Sequence, residues 1–339
     1  MKRIIIIMFA FIYAISLIGC ELSIKTKEGA MNLVVIALDY KNTNVSSLYG
    51  TLNDAKELEK AFRLNANKTN REFTSYQFYQ EGFDNNKSII ENKNYPSVAN
   101  ILKACDDISI NSQENDLTIL YFSGHGMEED GSILVGTTDY NEGKTLLDLN
   151  KINPDYLIKP IQIEEKLSKI KGNKLIIVDS CYSGFFYRDS GNTIDTTKLK
   201  KNIFETFFNK SKNIDQSIFV LCATEFDNYS HEPSYLLNSH PHGYFSAKLL
   251  EGLGWCYGEK GVITNKTVPS VIDQNDNIQG ILSSGLPPAS NNAKTLSVDN
   301  LYTYIKKHQN IPLVKIKEKR AHQHPKVNSG RKDLILFKY

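Results

Sequence analysis

Two apolar runs in this chain end in the same way, and together they constrain the fold more than any other feature. Residues 117–122 (LTILYF) lead into Ser123-Gly124-His125-Gly126, and residues 173–179 (NKLIIVD) lead into Ser180-Cys181-Tyr182-Ser183-Gly184. Short continuous apolar runs bounded by turn residues read as strands buried on both faces, the pattern of a parallel sheet. The small-residue segments that follow are turns that no strand or helix interior would choose. Open α/β sheets carry their chemistry at the C-terminal ends of their strands. If the two strands are neighbours, an imidazole and a thiol 56 positions apart meet at one sheet edge. That is a nucleophile with its base. Alone, a cysteine after a strand is more often an inert buried residue, and Gly-His-Gly more often a turn or half of a metal site. The pairing reverses both readings.

The rest of the chain alternates strand and helix patterns. Residues 33–38 (LVVIAL) form the expected first strand. Leu52, Ala55, Leu58, Ala61 and Phe62 recur at helical spacing over 52–64, with Asn53 or Asp54 at the start. Residues 73–79 alternate aromatic and polar positions, as a half-exposed strand does. Ser97 opens a helix through Ile101, Leu102, Cys105 and Ile108, and a further helix covers 163–170. After a long polar connection over 185–216, residues 217–223 (SIFVLCA) read as a buried strand. Helices are expected over 244–253 and 298–307, an irregular stretch over 255–294, and a last strand over 334–337. Six strands alternating with helices give an α/β fold with a six-stranded, mostly parallel sheet covered on both faces.

The two signatures, Ser-Gly-His-Gly at 123–126 and Asp-x-Cys-x-Ser-Gly at 179–184, resemble those of the caspase-like cysteine peptidases, on the metacaspase side. The His-to-Cys separation fits caspases, whereas Asp179-Ser180-Cys181 stands where caspases begin Gln-Ala-Cys. Residues 48–55 (LYGTLNDA) are similar to the family's Leu-x-Gly-x-x-Asn-Asp-Ala segment, and 242–246 (HGYFS) to its His-Gly-x-Phe-Thr. The resemblance implies a caspase-like α/β/α sandwich over nearly the whole chain. It implies His125 and Cys181 as the catalytic dyad with no obligatory third acid, and the backbone N–H groups of Gly126 and Cys181 as the oxyanion hole. Asp54, Ser123 and Asp179 match the family's primary specificity pocket. Two carboxylates in one pocket repel unless a cation binds, so the expected substrates are proteins or peptides with Arg or Lys before the cleaved bond. For Asp54 by itself, a helix cap or first-turn acid is an equal reading. Tyr182 departs from the family's usual His. No cofactor is needed for the chemistry. Calcium enters as a candidate activator, with Asp139, Asp189, Glu128 and Asp130 as acids that match no family position. Asp227, His231, Glu232, His240 and His242 follow the fifth strand and read as polar loop residues before they read as cleft or metal ligands. Clostripain- or gingipain-like proteases would use nearly the same chemistry. The contrasting class is a catalytically silent or zymogen-like caspase-fold lipoprotein acting as a binding module.

The N-terminus reads separately. Lys2 and Arg3 precede an apolar run over 4–18, the length of a signal-peptide core and short of a membrane span. It closes on Leu17-Ile18-Gly19-Cys20, which resembles the bacterial lipobox, in which the cysteine is lipidated. The expected organisation is a lipoprotein signal peptide (1–19), a lipidated N-terminus and tether (20–32) and one peptidase domain (33–339). That places the protein in the bacterial cell envelope, outside the cytoplasm, joined to the membrane through its lipid. A net charge of +2 with dispersed basic residues gives no case for nucleic acid. A monomer is expected. Of the remaining cysteines, Cys105 and Cys222 are expected as buried free thiols, and Cys256 is undetermined. No CxxC or zinc-like spacing occurs.

Overall fold

The structure is a computed structural model that describes residues 28–43, 45–82, 92–128, 130–136, 154–181, 183, 218–224, 229–232, 241–256, 271–272, 278–279, 281–282, 285–309, 315–316, 319–320, 323–327 and 333–339. Among these, the central elements in chain order are β1 (Met31–Leu38), α1 (Thr51–Lys68), β2 (Phe73–Gln80), α2 (Val98–Asn111), β3 (Leu117–Ser123), α3 (Pro160–Leu167), β4 (Asn173–Asp179), β5 (Ile218–Cys222), α4 (Tyr244–Gly252), α5 (Val298–His308) and β6 (Lys326–Val327). The sheet order is β6-β5-β4-β3-β1-β2. Every pairing is parallel except that of β6 with β5. The mixed α/β fold with a six-stranded, mostly parallel sheet is therefore observed.

Period-two alternation sorts the strand side chains into two cores. Leu33, Val35, Ile119, Tyr121, Leu175, Ile177, Phe219 and Leu221 face one side, where Leu58 and Phe62 of α1, Leu249 of α4 and Leu301 of α5 cover them. Val34, Ile36, Leu120, Phe122, Ile176, Val178 and Val220 face the other, under Ile101 and Ile108 of α2 and Ile163 and Leu167 of α3. Strands packed on both faces must be apolar throughout, which is why the sequence carries runs there and not alternation. Helix starts follow local chemistry. The Ser97 side chain accepts the Asn100 N–H, and a capping box joins Ser297 to Asn300. Cys105 and Cys222 are buried free thiols. No described helix is long and apolar enough to cross a membrane.

One expected strand lies elsewhere. Residues 334–337 do not extend the central sheet: Ile335–Lys338 pairs antiparallel with Thr295–Ser297 beside α5. The sixth position belongs to β6, where Val327 opposes Leu221 and Lys326 opposes Cys222. A two-residue edge strand after Pro325, in the polar context QHPKV, leaves no periodic signal, while Leu336 and Phe337 are apolar because they fill the α1–α5 core. The first strand begins at Met31, two residues before its apolar run. The 255–294 region contains short pairings, Trp255–Cys256 with Ile281–Leu282 and Val271–Ile272 with Ile278–Gln279.

Candidate active site

The chain turns from β1 outward to β2 and then back past β1 to β3, so the order of the sheet reverses between β1 and β3. Crevices form at such reversals, outside the carboxyl ends of the strands. Here an open cavity of about 80 Å³ is lined by Leu48, Asp54, Ser123, His125, Asp179, Cys181, Ser230 and Glu232, among others. Register explains the meeting of its two reactive groups. Ser123 of β3 lies directly opposite Asp179 of β4, and the Gly124 N–H donates to the Asp179 carbonyl at 3.3 Å. Two residues further along each strand stand His125 and Cys181. Gly126 packs against the same turn: a Cβ there would lie 2.1 Å from the Cys181 carbonyl oxygen, so only glycine fits.

His125 is oriented by the loop that follows β1. Its Nε2 donates to the Ser46 carbonyl at 2.7 Å, which leaves Nδ1 as the nitrogen that can take a proton. Its backbone N–H donates to the Tyr40 hydroxyl at 3.0 Å, and that hydroxyl donates to the Leu134 carbonyl at 2.6 Å. The Tyr40 ring packs on the imidazole with centroids 4.6 Å apart. Burial lowers the affinity of His125 for a proton below the usual histidine value. The Cys181 thiol donates to the Ser230 carbonyl at 3.7 Å, and burial pushes its pKa up to about 11. The resting pair is thus a neutral thiol with a neutral imidazole.

Two carboxylates line the same cavity. Asp179 accepts the Ser230 hydroxyl on Oδ1 at 2.5 Å, and the Ser246 hydroxyl (2.6 Å) and N–H (3.2 Å) on Oδ2. Since the Ser246 hydroxyl gives its hydrogen to Asp179, the fully buried Tyr121 donates to it at 2.7 Å. Asp54 sits in the first turn of α1 but caps nothing; Gly50 is the N-cap, without a side-chain bond. The Asp54 side chain instead accepts His242 Nδ1 at 2.7 Å and the Gly243 N–H at 3.1 Å. The two acids converge on Gly243, where a Cβ would lie 2.6 Å from Asp179 Oδ2 and 3.2 Å from Asp54 Oδ2. Burial raises both acids above the usual carboxylate range, Asp54 to about 7. Burial alone would lower His242, but the bond to Asp54 and the charges of Asp54 and Glu57 outweigh it and hold it above its ordinary value. Glu57 accepts the buried Trp255 Nε1–H at 2.6 Å behind this pair.

The structure therefore brings Asp54, Ser123, His125, Asp179 and Cys181 to one cavity, with Gly126 against Cys181. Cys20, Asp139, Tyr182, Asp189, Asp227 and His240 lie outside the described residues. Asp130 accepts the Ser132 N–H, and no group of three or more metal-binding side chains is gathered among the described residues. Glu232 and His231, expected as plain loop residues, line the cavity. The Glu232 carboxylate accepts the N–H groups of Tyr49 (2.9 Å) and Gly50 (2.7 Å), capping α1 from 182 positions away. Burial raises its pKa too. Gln323, just before β6, donates to the Ser230 hydroxyl at 3.0 Å and accepts the His231 N–H at 3.0 Å. Tyr40, Ser46 and Ser230 were also missed. Two of these act through backbone carbonyls, which no residue type announces.

Comparison with known proteins follows the same lines. No curated protein matches the chain. Among solved structures, a Geobacter sulfurreducens protein is 13% identical over 88% of this chain and 92% of its own, with a TM-score of 0.43. The model of the caspase domain matches residues 31–333, from the first residue of β1 to the segment before the final strand. The chain belongs to the caspase domain family of cysteine peptidases.

Proposed function

We propose that this protein is a metacaspase-type cysteine endopeptidase that cleaves after Arg or Lys. The observation that carries the proposal is the pairing of Ser123 with Asp179, which brings His125 and Cys181 to one cavity that Asp54 and Asp179 also line, both beside Gly243. The peptide carbonyl carbon is attacked by the Cys181 sulfur as the thiol proton passes to His125 Nδ1. The oxyanion is received by the N–H groups of Gly126 and Cys181. Collapse breaks the C–N bond, and the amine leaves with the proton from His125. Water, deprotonated by the same imidazole, then hydrolyses the thioester and returns the thiol. Tautomer control falls to the Ser46 carbonyl, so no third acid is needed. Asp54 and Asp179 receive the substrate's cationic side chain, with Ser123 beside them. A lipidated Cys20 ties the monomer to the bacterial cell envelope, and calcium stays a candidate activator for the assay below.

A second reading, a caspase-fold lipoprotein held silent, is favoured by one observation: the Cys181 thiol donates to the Ser230 carbonyl at 3.7 Å, in a buried setting that disfavours the thiolate. An arginyl electrophile separates the two. Labelling of Cys181, lost in Cys181→Ala and His125→Ala, supports the peptidase. A protein that reacts with iodoacetamide and ignores the arginyl probe supports the silent form. A peptide-library cleavage profile with and without calcium then reads the side-chain preference and the metal requirement together.

A further inference from the structure

Glu232 belongs to none of the four recognised motifs, yet it stands between the two backbone segments that touch the reactive groups. On one side is the segment 229–232 after β5, where the Ser230 carbonyl accepts the Cys181 thiol and the Ser230 hydroxyl donates to Asp179. On the other is the loop between β1 and α1, where the Ser46 carbonyl holds His125 Nε2. That loop is anchored by the Leu48 N–H on the Asp39 carbonyl at 2.8 Å and ends at Tyr49 and Gly50. The Glu232 carboxylate spans the gap: Oε1 takes the Tyr49 N–H at 2.9 Å and Oε2 the Gly50 N–H at 2.7 Å. Burial raises the Glu232 pKa, while the Tyr49 and Gly50 N–H groups and the start of the helix favour its ionised form, in which these bonds are strongest. With α1 spanning 18 residues, that field is fully developed.

We propose that Glu232 is a positioning residue for the Cys181–His125 pair, a clasp that fixes the carbonyl orienting the thiol relative to the carbonyl orienting the imidazole. The inference rests on the dyad proposed above. Both oxygens of Glu232 take backbone N–H groups of one helix start, whereas Asp54 and Asp179 each give an oxygen to a side chain, His242 and Ser230 respectively. Opening the clasp separates the two loops, and a shift of about 1 Å between reacting groups costs on the order of 100-fold in rate.

The test uses Glu232→Gln and Glu232→Ala in the full chain. Glutamine keeps the shape and one acceptor, but turns an NH2 group toward the second N–H, so it opens the clasp with little effect on folding. Two readouts are taken: kcat and KM on an Arg peptide, and the pH–rate profile of Cys181 alkylation by iodoacetamide. The expected result for Glu232→Gln is a fall in kcat of roughly 10- to 100-fold with KM within about threefold, and an alkylation profile displaced from wild type. An unchanged kcat overturns the proposal. So does a loss confined to KM with an unmoved alkylation profile, which would make Glu232 a third specificity carboxylate. If the wild type cleaves no Arg peptide, the substrate reading fails by itself, and the alkylation profile still judges the clasp.

Discussion

Replacing Asp179 by asparagine removes a charge from the pocket and almost nothing else. The new oxygen must face Ser246, because that residue's backbone N–H cannot reverse its direction. The amide NH2 then faces the Ser230 hydroxyl, which can rotate to accept it. Volume and hydrogen-bond count are nearly conserved. Burial raises the Asp179 pKa, so the native state bears a cost for its charge that asparagine lifts. Asp179→Asn should therefore unfold in urea at the wild-type midpoint or above it. Truncating one partner of a desolvated charge pair costs about 2–5 kcal/mol, which is roughly 30- to 4,000-fold in kcat/KM for an Arg peptide. The matched citrulline peptide has the same shape without the charge and should lose little. Iodoacetamide should alkylate Cys181 at least as fast as in wild type, because burial first and the Asp179 charge second push that thiol up. Two results would refute this reasoning. One is wild-type kcat/KM on Arg peptides. The other is an equal loss on Arg and citrulline peptides, which would mean that Asp179 only shapes the wall.

Asp54 predicts a pH effect. With a folded pKa of about 7 against an ordinary 3.8, the native state holds more protons than the unfolded state between those values, so stability falls as pH rises through that window. Asp54→Asn should gain stability relative to wild type between pH 5 and about pH 8 in urea titrations, and should lose any rise in Arg-peptide kcat/KM centred near pH 7. Tyr40→Phe keeps the ring on His125 but strands the His125 N–H and the Leu134 carbonyl. It should cost about 1–3 kcal/mol of stability and lower kcat more than KM, as measured by urea unfolding and steady-state kinetics. Cys20→Ser should move the protein from the detergent to the aqueous phase in a partition assay; a mutant that stays with detergent would point to an uncleaved membrane anchor.

The parts of the fold legible in the sequence are those where one physical demand acts on many consecutive residues. A strand covered on both faces must be apolar at every position, so β1, β3, β4 and β5 stand out from the chain. Helices repeat their demand every three to four residues, and Ser97 marks a start by its own chemistry. A two-residue edge strand makes no such demand, and β6 passed unseen while the apolar Leu336 and Phe337 suggested a strand in its place. The site divides in the same way. His125, Cys181, Asp54 and Asp179 are legible because the proposed chemistry needs those side chains. The Ser46 and Ser230 carbonyls could be carried by any residue, so position alone gives them their part. Glu232 offered a faint signal, an acid shortly after the fifth strand, but its target lies 182 positions earlier, and only the fold brings the two together.

Burial presses the ionisable groups that line the cavity in one direction, which bears on how a substrate would be recognised, while His242 behind them is held toward its charged form by Asp54 and Glu57. Burial lowers His125 and raises Cys181, Asp179, Glu232 and Asp54, so every one of them is pressed toward its neutral form. A cavity with that bias disfavours isolated charge of either sign. Under the proposed reading, a guanidinium or ammonium entering beside Asp54 and Asp179 changes the balance, because an opposite charge within a few ångströms favours the ionised carboxylate. Ionisation of the acids and binding of the cation then reinforce each other, and the proton that Asp54 holds near neutral pH is released as the substrate seats. A neutral side chain in the same place leaves that proton on Asp54 and gains none of this. Discrimination thus comes from a charge state that the correct substrate itself creates. The hydrogen bonds from Ser230, Ser246, His242 and Gly243 keep both carboxylates aimed while they wait.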